Sequence, residues 1–216
     1  MRLVADAVYE LHGFPPDAIN VYLVEDVLVD TGSALARRRL VRELERREVR
    51  AHALTHAHPD HFGSSHAVCE ALGLPLWCGE RDADAVESGQ VTHAESPITW
   101  LLDRLPTPPH PVARRLREGD EVAGFRVLDV PGHSPGHVAY WREADRTLIC
   151  GDVYFNLHPL TGIPGLREPP AMLTRDPARN RESMRRLAEL EPALVLFGHG
   201  PPLRDTRRFV ELARSV

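Results

Sequence analysis

Apolar positions along this chain come in short runs, cut at close intervals by glycine, proline and acidic residues. Ala7–His12, Ile19–Glu25 and Val27–Asp30 are rich in β-favouring residues. With turn signals at Gly13-Phe14-Pro15-Pro16 and Glu25-Asp26 between them, they predict an antiparallel ribbon. The period then changes. Leu35, Leu40, Val41 and Leu44 fall on one stripe of a helix predicted over Ala34–Arg47, capped by Gly32 or Ser33. Its arginines, interleaved with glutamate, read as a solvated face. Val49–Thr55 follows as a strand, Phe62–Leu72 as a helix, Pro75–Cys78 as a strand and Arg81–Glu87 as a short helix.

Ser88–Pro111 is harder to place. Ser96-Pro97 is a helix start with serine as cap and proline in the first turn. Ile98, Leu101, Leu102 and Leu105 give an apolar face, and Pro106-Thr107-Pro108-Pro109 ends it. The segment reads as core, as a homodimer contact or as a lid. Beyond it, Phe125–Val130, Val138–Trp141 and Thr147–Cys150 are strands, the last two joined by a hairpin at Glu143-Ala144-Asp145. Asp176–Leu190 is a helix, Ala193–Phe197 a strand and Thr206–Ser215 a closing helix. Strands alternating with helices predict an α/β protein. At 216 residues and 43% hydrophobic, a single domain over residues 1–216 is the expectation.

Composition narrows the function. A net charge of −5 argues against a nucleic-acid backbone as partner, because such binders present a basic face. All 26 basic residues are arginine, so no lysine of this chain can form a Schiff base. No apolar run nears the roughly 20 residues of a membrane helix, and no secretory signal opens the chain. Cys69, Cys78 and Cys150 are odd in number and form no CxxC; they read as reduced core thiols of a cytoplasmic protein.

The chemistry gathers where strands end. Thr55-His56-Ala57-His58-Pro59-Asp60-His61 brings three imidazoles and a carboxylate to one strand tip, and Pro59 forces the turn after His58. Neutral imidazole and carboxylate suit zinc and accept iron or manganese. Four donors so close in sequence fit two ions sharing a cluster better than one ion wrapped tetrahedrally. A histidine-rich solvated loop is the bland alternative. Against it stand Pro131-Gly132-His133-Ser134-Pro135-Gly136-His137, Cys150-Gly151-Asp152 and Phe197-Gly198-His199-Gly200, each of which sets a His or Asp where an apolar run meets glycine.

HAHPDH at 56–61, PGHSPGH at 131–137, GD at 151–152, FGHG at 197–200 and the early Asp30-Thr31-Gly32 together resemble the metallo-β-lactamase fold, in order over nearly the whole chain. The resemblance implies a four-layer αβ/βα sandwich. It also implies His56, His58 and His133 around a first ion, Asp60, His61 and His199 around a second, and Asp152 bridging both. Asp30 would then steady the loop that carries the histidines. His137 follows the family pattern without being a ligand there, and His12, His52, His66, His93 and His110 read as ordinary hydrogen-bonding histidines.

Within the family, β-lactamases carry cysteine or serine where this chain has Asp152, which argues against that activity. Neither the appended flavin domain of flavodiiron proteins nor the RNA-gripping arm of ribonuclease Z is visible. The closest look is glyoxalase II-like: two divalent ions, zinc first and iron or manganese as alternatives, hold a bridging hydroxide. That hydroxide attacks a thioester, ester or lactone carbonyl of a small-molecule substrate, with Asp60 and Asp152 as the catalytic carboxylates. Glyoxalase II grips glutathione with a C-terminal helical domain, whereas 17 residues follow His199 here, so glutathione specificity is not expected. The competing expectation is a persulfide dioxygenase with one iron at His56, His133 and Asp152. For the pocket wall, Tyr154–Pro170 and Ser96–Leu105 supply Tyr154, Phe155, Leu157, Leu160, Ile163, Leu166, Trp100 and Leu101. His158, in the first of these segments, is a candidate substrate-facing residue.

Overall fold

A computed structural model describes residues 1–11, 13, 15–92 and 107–216. The predicted helix from Ser96, with Trp100 and Leu101, lies outside the described residues, as do His12 and His93. Fourteen short strands are described: β1 (Arg2–Ala5), β2 (Val8–Leu11), β3 (Val21–Val24), β4 (Val27–Val29), β5 (Ala51–Ala53), β6 (Leu76–Gly79), β7 (Val112–Leu116), β8 (Glu121–Val122), β9 (Phe125–Asp129), β10 (Val138–Arg142), β11 (Thr147–Ile149), β12 (Phe155–Leu157), β13 (Pro164–Arg167) and β14 (Leu194–Leu196). The helices are α1 (Arg37–Leu44), α2 (Pro59–Phe62), α3 (Ser65–Leu72), α4 (Ala83–Ser88), α5 (Pro177–Ala188) and α6 (Arg207–Ser215).

Two sheets result. The first runs β1-β2-β3-β4-β5-β6-β7, antiparallel as far as β4 and parallel from there. The second runs β14-β11-β10-β9-β8, and β12-β13 form a separate hairpin. Strand pleating sends successive side chains to opposite faces, and here both faces are covered. Val27 and Val29 of β4 meet Val127, Tyr140 and Leu196 in a core between the sheets, while Leu28 between them joins Leu40, Leu44 and Val68 under α1 and α3. Likewise Val127 faces inward and Leu128 outward, against Met184, Leu187 and Phe209 of α5 and α6. Three cores separating helices, sheet, sheet and helices make the four-layer αβ/βα sandwich.

Several sequence-based boundaries shift. The helix expected from Ala34 opens with a 3-10 turn at Ala34–Ala36, which leaves Leu35 94% exposed rather than on the apolar stripe. The helix expected over Phe62–Leu72 is two pieces, α2 and α3, broken at Gly63-Ser64. A Cβ at Gly63 would meet the backbone of Ala34 and the carbonyl of Pro59, so a side chain is excluded there by close approach. Among the described residues, no helix is long and apolar enough to cross a membrane.

Hydrogen bonds across the sheets fix the strand tips. Tyr140 Oη donates to the Leu54 carbonyl at 2.6 Å, and Tyr22 Oη donates to the Phe197 carbonyl at 2.8 Å. Asn20 Nδ2 donates to both Phe197 and Gly200 carbonyls. Leu54 and Phe197 are the last apolar residues before the His56 and His199 motifs, so both sheets hold the loops that follow them. Each such buried bond contributes about 1 kcal/mol net.

Candidate metal centre

The loops that follow β4, β5, β9, β11 and β14 converge at one end of the sandwich, where strands of both sheets finish. His58 ends the loop after β5 in extended backbone, and Pro59 opens α2 in the first-turn position that tolerates it. This short helix turns Asp60 and His61 back toward His56. Gly198 is required by contact: a Cβ there would run into Asp152 Oδ1 and lie 2.7 Å from His61 Cε1.

Two donor groups result. His56, His58 and His133 form one; Asp60, His61 and His199 form the other, with the donor atoms of each group within 4.8 Å of one another. Asp152 Oδ2 lies between them. It is 3.9 Å from His56 Nε2 and 3.4 Å from His133 Nε2 on one side, and 3.4 Å from His61 Nε2 and 3.1 Å from His199 Nε2 on the other. Two donors at about 2.0–2.1 Å from one tetrahedral zinc stand about 3.3 Å apart, so these spacings suit metal ligands. All the predicted ligand residues are brought together here.

Hydrogen bonding to the far side of His56, His61, His133 and His199 fixes the tautomer of each. His199 Nδ1 faces the Ala18 carbonyl at 2.5 Å and His61 Nδ1 faces Asp30 Oδ2 at 2.9 Å; both partners only accept, so both nitrogens carry hydrogen. His133 Nδ1 meets Thr174 Oγ1, whose own hydrogen goes to the Pro170 carbonyl, so this nitrogen donates as well. The same holds for His56 Nδ1, since Thr55 Oγ1 donates to Asp30 Oδ2. In each neutral ring Nε2 is therefore a bare lone pair. His56 Nε2 and His133 Nε2 are buried with no hydrogen-bond partner among the described residues. Orphaned, converging lone pairs beside a buried carboxylate are what a divalent cation satisfies.

Electrostatics agree. Burial, reinforced by the neighbouring imidazoles, holds His56 and His58 well below the ordinary histidine range, and burial lowers His133 to about 3. The second group behaves oppositely. Burial opposes charge on His61 and His199, but Asp152 and Asp60 outweigh it, raising His61 well above its usual value and His199 to about 10. Burial also works to raise both carboxyls, yet Asp152 is held far below its ordinary value by His199 and His61, and Asp60 by His61 and His199. In the ion-free protein, protons on these histidines balance the carboxylates. That is the position of a cation.

Asp30 takes the supporting place the resemblance implied: Oδ1 accepts from the Thr55 N–H and Oδ2 from Thr55 Oγ1 and His61 Nδ1. Asp82 was missed. It is fully buried, and its carboxylate accepts from the Ala57 N–H, from Ser134 Oγ and from the Gly136 N–H, joining the loop of His56 and His58 to the loop of His133. At the start of a helix it reads in sequence as a cap, and nothing local marks its longer reach. His137 stacks on His56 at 4.6 Å, and its Nε2 accepts from the Asp152 N–H. That lone pair faces the backbone, not the cluster.

The cavity over the cluster, about 330 Å³, is lined by Ala18, Ile19, Ser33, Pro59, Phe155, Leu157, Pro159 and Leu173 besides site residues. Of the expected wall residues that are described, Phe155 and Leu157 line it and the others do not. Tyr154 is instead buried against Phe209 and donates to the Met184 carbonyl. Leu160 and Ile163 are exposed on the β12–β13 turn, and Leu166 packs on the outer core. β12 and β13 pair as a hairpin, which turns these side chains away from the cavity. His158 Nδ1 accepts from the Leu160 and Thr161 N–H groups within that turn.

The sequence matches the metallo-beta-lactamase superfamily over residues 14–199, and the chain belongs to that family. A Bacillus subtilis protein described as probable metallo-hydrolase YflN is 27% identical over 92% of this chain and 86% of its own length. A hydroxyacylglutathione hydrolase of Methylococcus capsulatus is 36% identical over 48% of this chain and 33% of its own. The crystal structure of TTHA1623 in a di-iron-bound form, 34% identical, superposes with a TM-score of 0.67 over 91% of this chain and 94% of that one.

Proposed function

We propose that this protein is a dinuclear metallohydrolase acting on small, apolar ester, thioester or lactone carbonyls. The observation that carries this is the position of Asp152 Oδ2 within 3.1–3.9 Å of histidines from both donor groups. In this reading His56, His58 and His133 hold one divalent ion, Asp60, His61 and His199 the other, and Asp152 joins them. When bound, such ions lower the pKa of water to near neutrality and polarise a carbonyl, so no serine or cysteine nucleophile is needed. Asp60 does two jobs: its side chain, 38% exposed and facing the cavity, orients the attacking water and takes its proton. The apolar walls seat the acyl group and exclude bulk water from the reacting carbonyl.

A complete second group supports two ions over the single iron of a persulfide dioxygenase, as does the di-iron form of the relative TTHA1623. Among the described residues no arginine lines the cavity, which supports apolar acyl substrates over the charged glutathione carrier of the hydroxyacylglutathione hydrolases. A panel of specificity constants on short apolar esters, thioesters and lactones, a glutathione thioester and a β-lactam tests the reading. Apolar esters, thioesters or lactones are expected to lead; a leading glutathione thioester or β-lactam overturns the substrate class. Persulfide-dependent oxygen uptake without hydrolysis overturns the reaction class.

A further inference from the structure

A second cluster of metal-capable side chains lies apart from the site and takes no part in the proposed reaction. His66 and Glu70 stand four residues apart on α3, which puts both on one helix face. His110, from the segment entering β7, packs against that face, its ring 5.4 Å from His66 at 74°. The backbone of this segment is anchored: His110 N–H donates to the Val86 carbonyl.

The two imidazoles meet nitrogen to nitrogen, His66 Nδ1 and His110 Nδ1 standing 3.3 Å apart. Glu70 Oε1 is 4.0 Å from the same His110 atom, and the three donors all lie within 4.8 Å of one another. Only one hydrogen fits between two such nitrogens, so a direct contact satisfies one lone pair at the expense of a tautomer choice in both rings. A cation between them uses both lone pairs. The 3.3 Å separation is the edge expected for two ligands about 2.05 Å from a tetrahedral zinc. The Glu70 side chain is 67% exposed, free to close the remaining gap by a rotamer change. Burial, helped by His66, lowers the His110 pKa, so the ring is in its neutral, ligating form at neutral pH.

The geometry points to a third, mononuclear divalent-metal site at His66, Glu70 and His110, of zinc-class preference, with a fourth corner for water. Two imidazoles and one carboxylate from a helix and a distant segment form a three-ligand set that leaves that corner open. An ion here fastens α3 to the strand entry at β7. The helix matters to the main site because Ser65, next to His66, contacts Thr31 and His52, and Thr31 Oγ1 donates to the His61 carbonyl.

The test is a calorimetric Zn²⁺ titration of protein already saturated at the main site, on the wild type, His110→Ala and Glu70→Gln. The wild type should take up one more equivalent per chain than His110→Ala at micromolar zinc, and Glu70→Gln should bind it at least about tenfold more weakly. Zinc should raise the melting temperature of the wild type by ligand linkage and leave that of His110→Ala unmoved. Equal uptake by wild type and His110→Ala overturns the site, as does uptake only at millimolar zinc. Anomalous scattering at the zinc edge from wild-type crystals decides it without any variant: a peak between the two Nδ1 atoms is expected, and its absence contradicts the site.

Discussion

The metal cradle and the substrate wall share one cavity but are built in opposite ways. His61, His56, His133 and His199 each donate from Nδ1, on the side away from the cluster, to a fixed acceptor: Asp30, Thr55, Thr174 and the Ala18 carbonyl. Asp82 then ties two of the ligand loops together. The wall is made differently. The side chains of Ala18, Ile19, Phe155, Leu157 and Leu173 come from three separate stretches and offer the cavity apolar surface, with the Ala18 carbonyl behind them as the one tie to His199 among these described residues. In the proposed reading, directional bonds hold the part of the site that does chemistry, and non-directional packing shapes the part that meets the substrate. The cradle should therefore be intolerant of change and the wall permissive.

Losing the joint between the donor groups should break the cradle outright. Asp152→Ala leaves the ions' charge uncompensated and is expected to lower metal content and kcat/KM together. The loss should be on the order of a thousandfold or more, since several kcal/mol of charge stabilisation go with it. Full activity in a folded Asp152→Ala variant would remove the bridging role.

Acidification is the next largest perturbation. His199, raised to about 10, and His61, also raised, are protonated in the ion-free protein at neutral pH, and both must lose that proton to bind. Metal affinity therefore strengthens as pH rises toward 10 and weakens as it falls, by up to about a hundredfold per unit while two protons are displaced. Calorimetry in buffers of different ionisation enthalpy counts those protons; a result of zero contradicts the assignment.

Asp30→Asn keeps the shape but withdraws the charge behind His61 and Thr55. Metal affinity should fall roughly 10–100-fold, read by competition with a chelator. On the permissive side, Leu173→Ala trims the wall and should raise KM for apolar substrates severalfold, up to about tenfold, with metal content unchanged. A simultaneous loss of metal would mean that wall and cradle are not separable.

This division also decided what the sequence could reveal. The ligands sit in compact motifs at strand tips, so local spacing and family resemblance were enough to name His56, His58, Asp60, His61, His133, Asp152 and His199 as candidates. The alternation of strands and helices read only as an α/β protein, and the four layers were implied by the family resemblance. Asp82 was not legible, because its partners Ala57, Ser134 and Gly136 are 25 to 54 residues away and nothing beside it in the chain predicts them. The wall failed for a related reason. Tyr154, Leu160 and Ile163 have the composition of a pocket, but the pairing of β12 with β13 and the packing of Phe209 on Tyr154 decide which way they point. Ile19, which lines the cavity beside Ala18, read only as the start of a strand.

The central claim is that Asp152 joins two donor groups into one dinuclear centre. Elemental analysis of the purified, chelator-treated and reloaded wild-type protein tests it most directly. The account predicts close to two equivalents of divalent metal per chain lost from Asp152→Ala and retained in His110→Ala, which alters only the separate cluster on α3. A single tightly held ion in the wild type, unaffected by adding more metal at the main site, would contradict it.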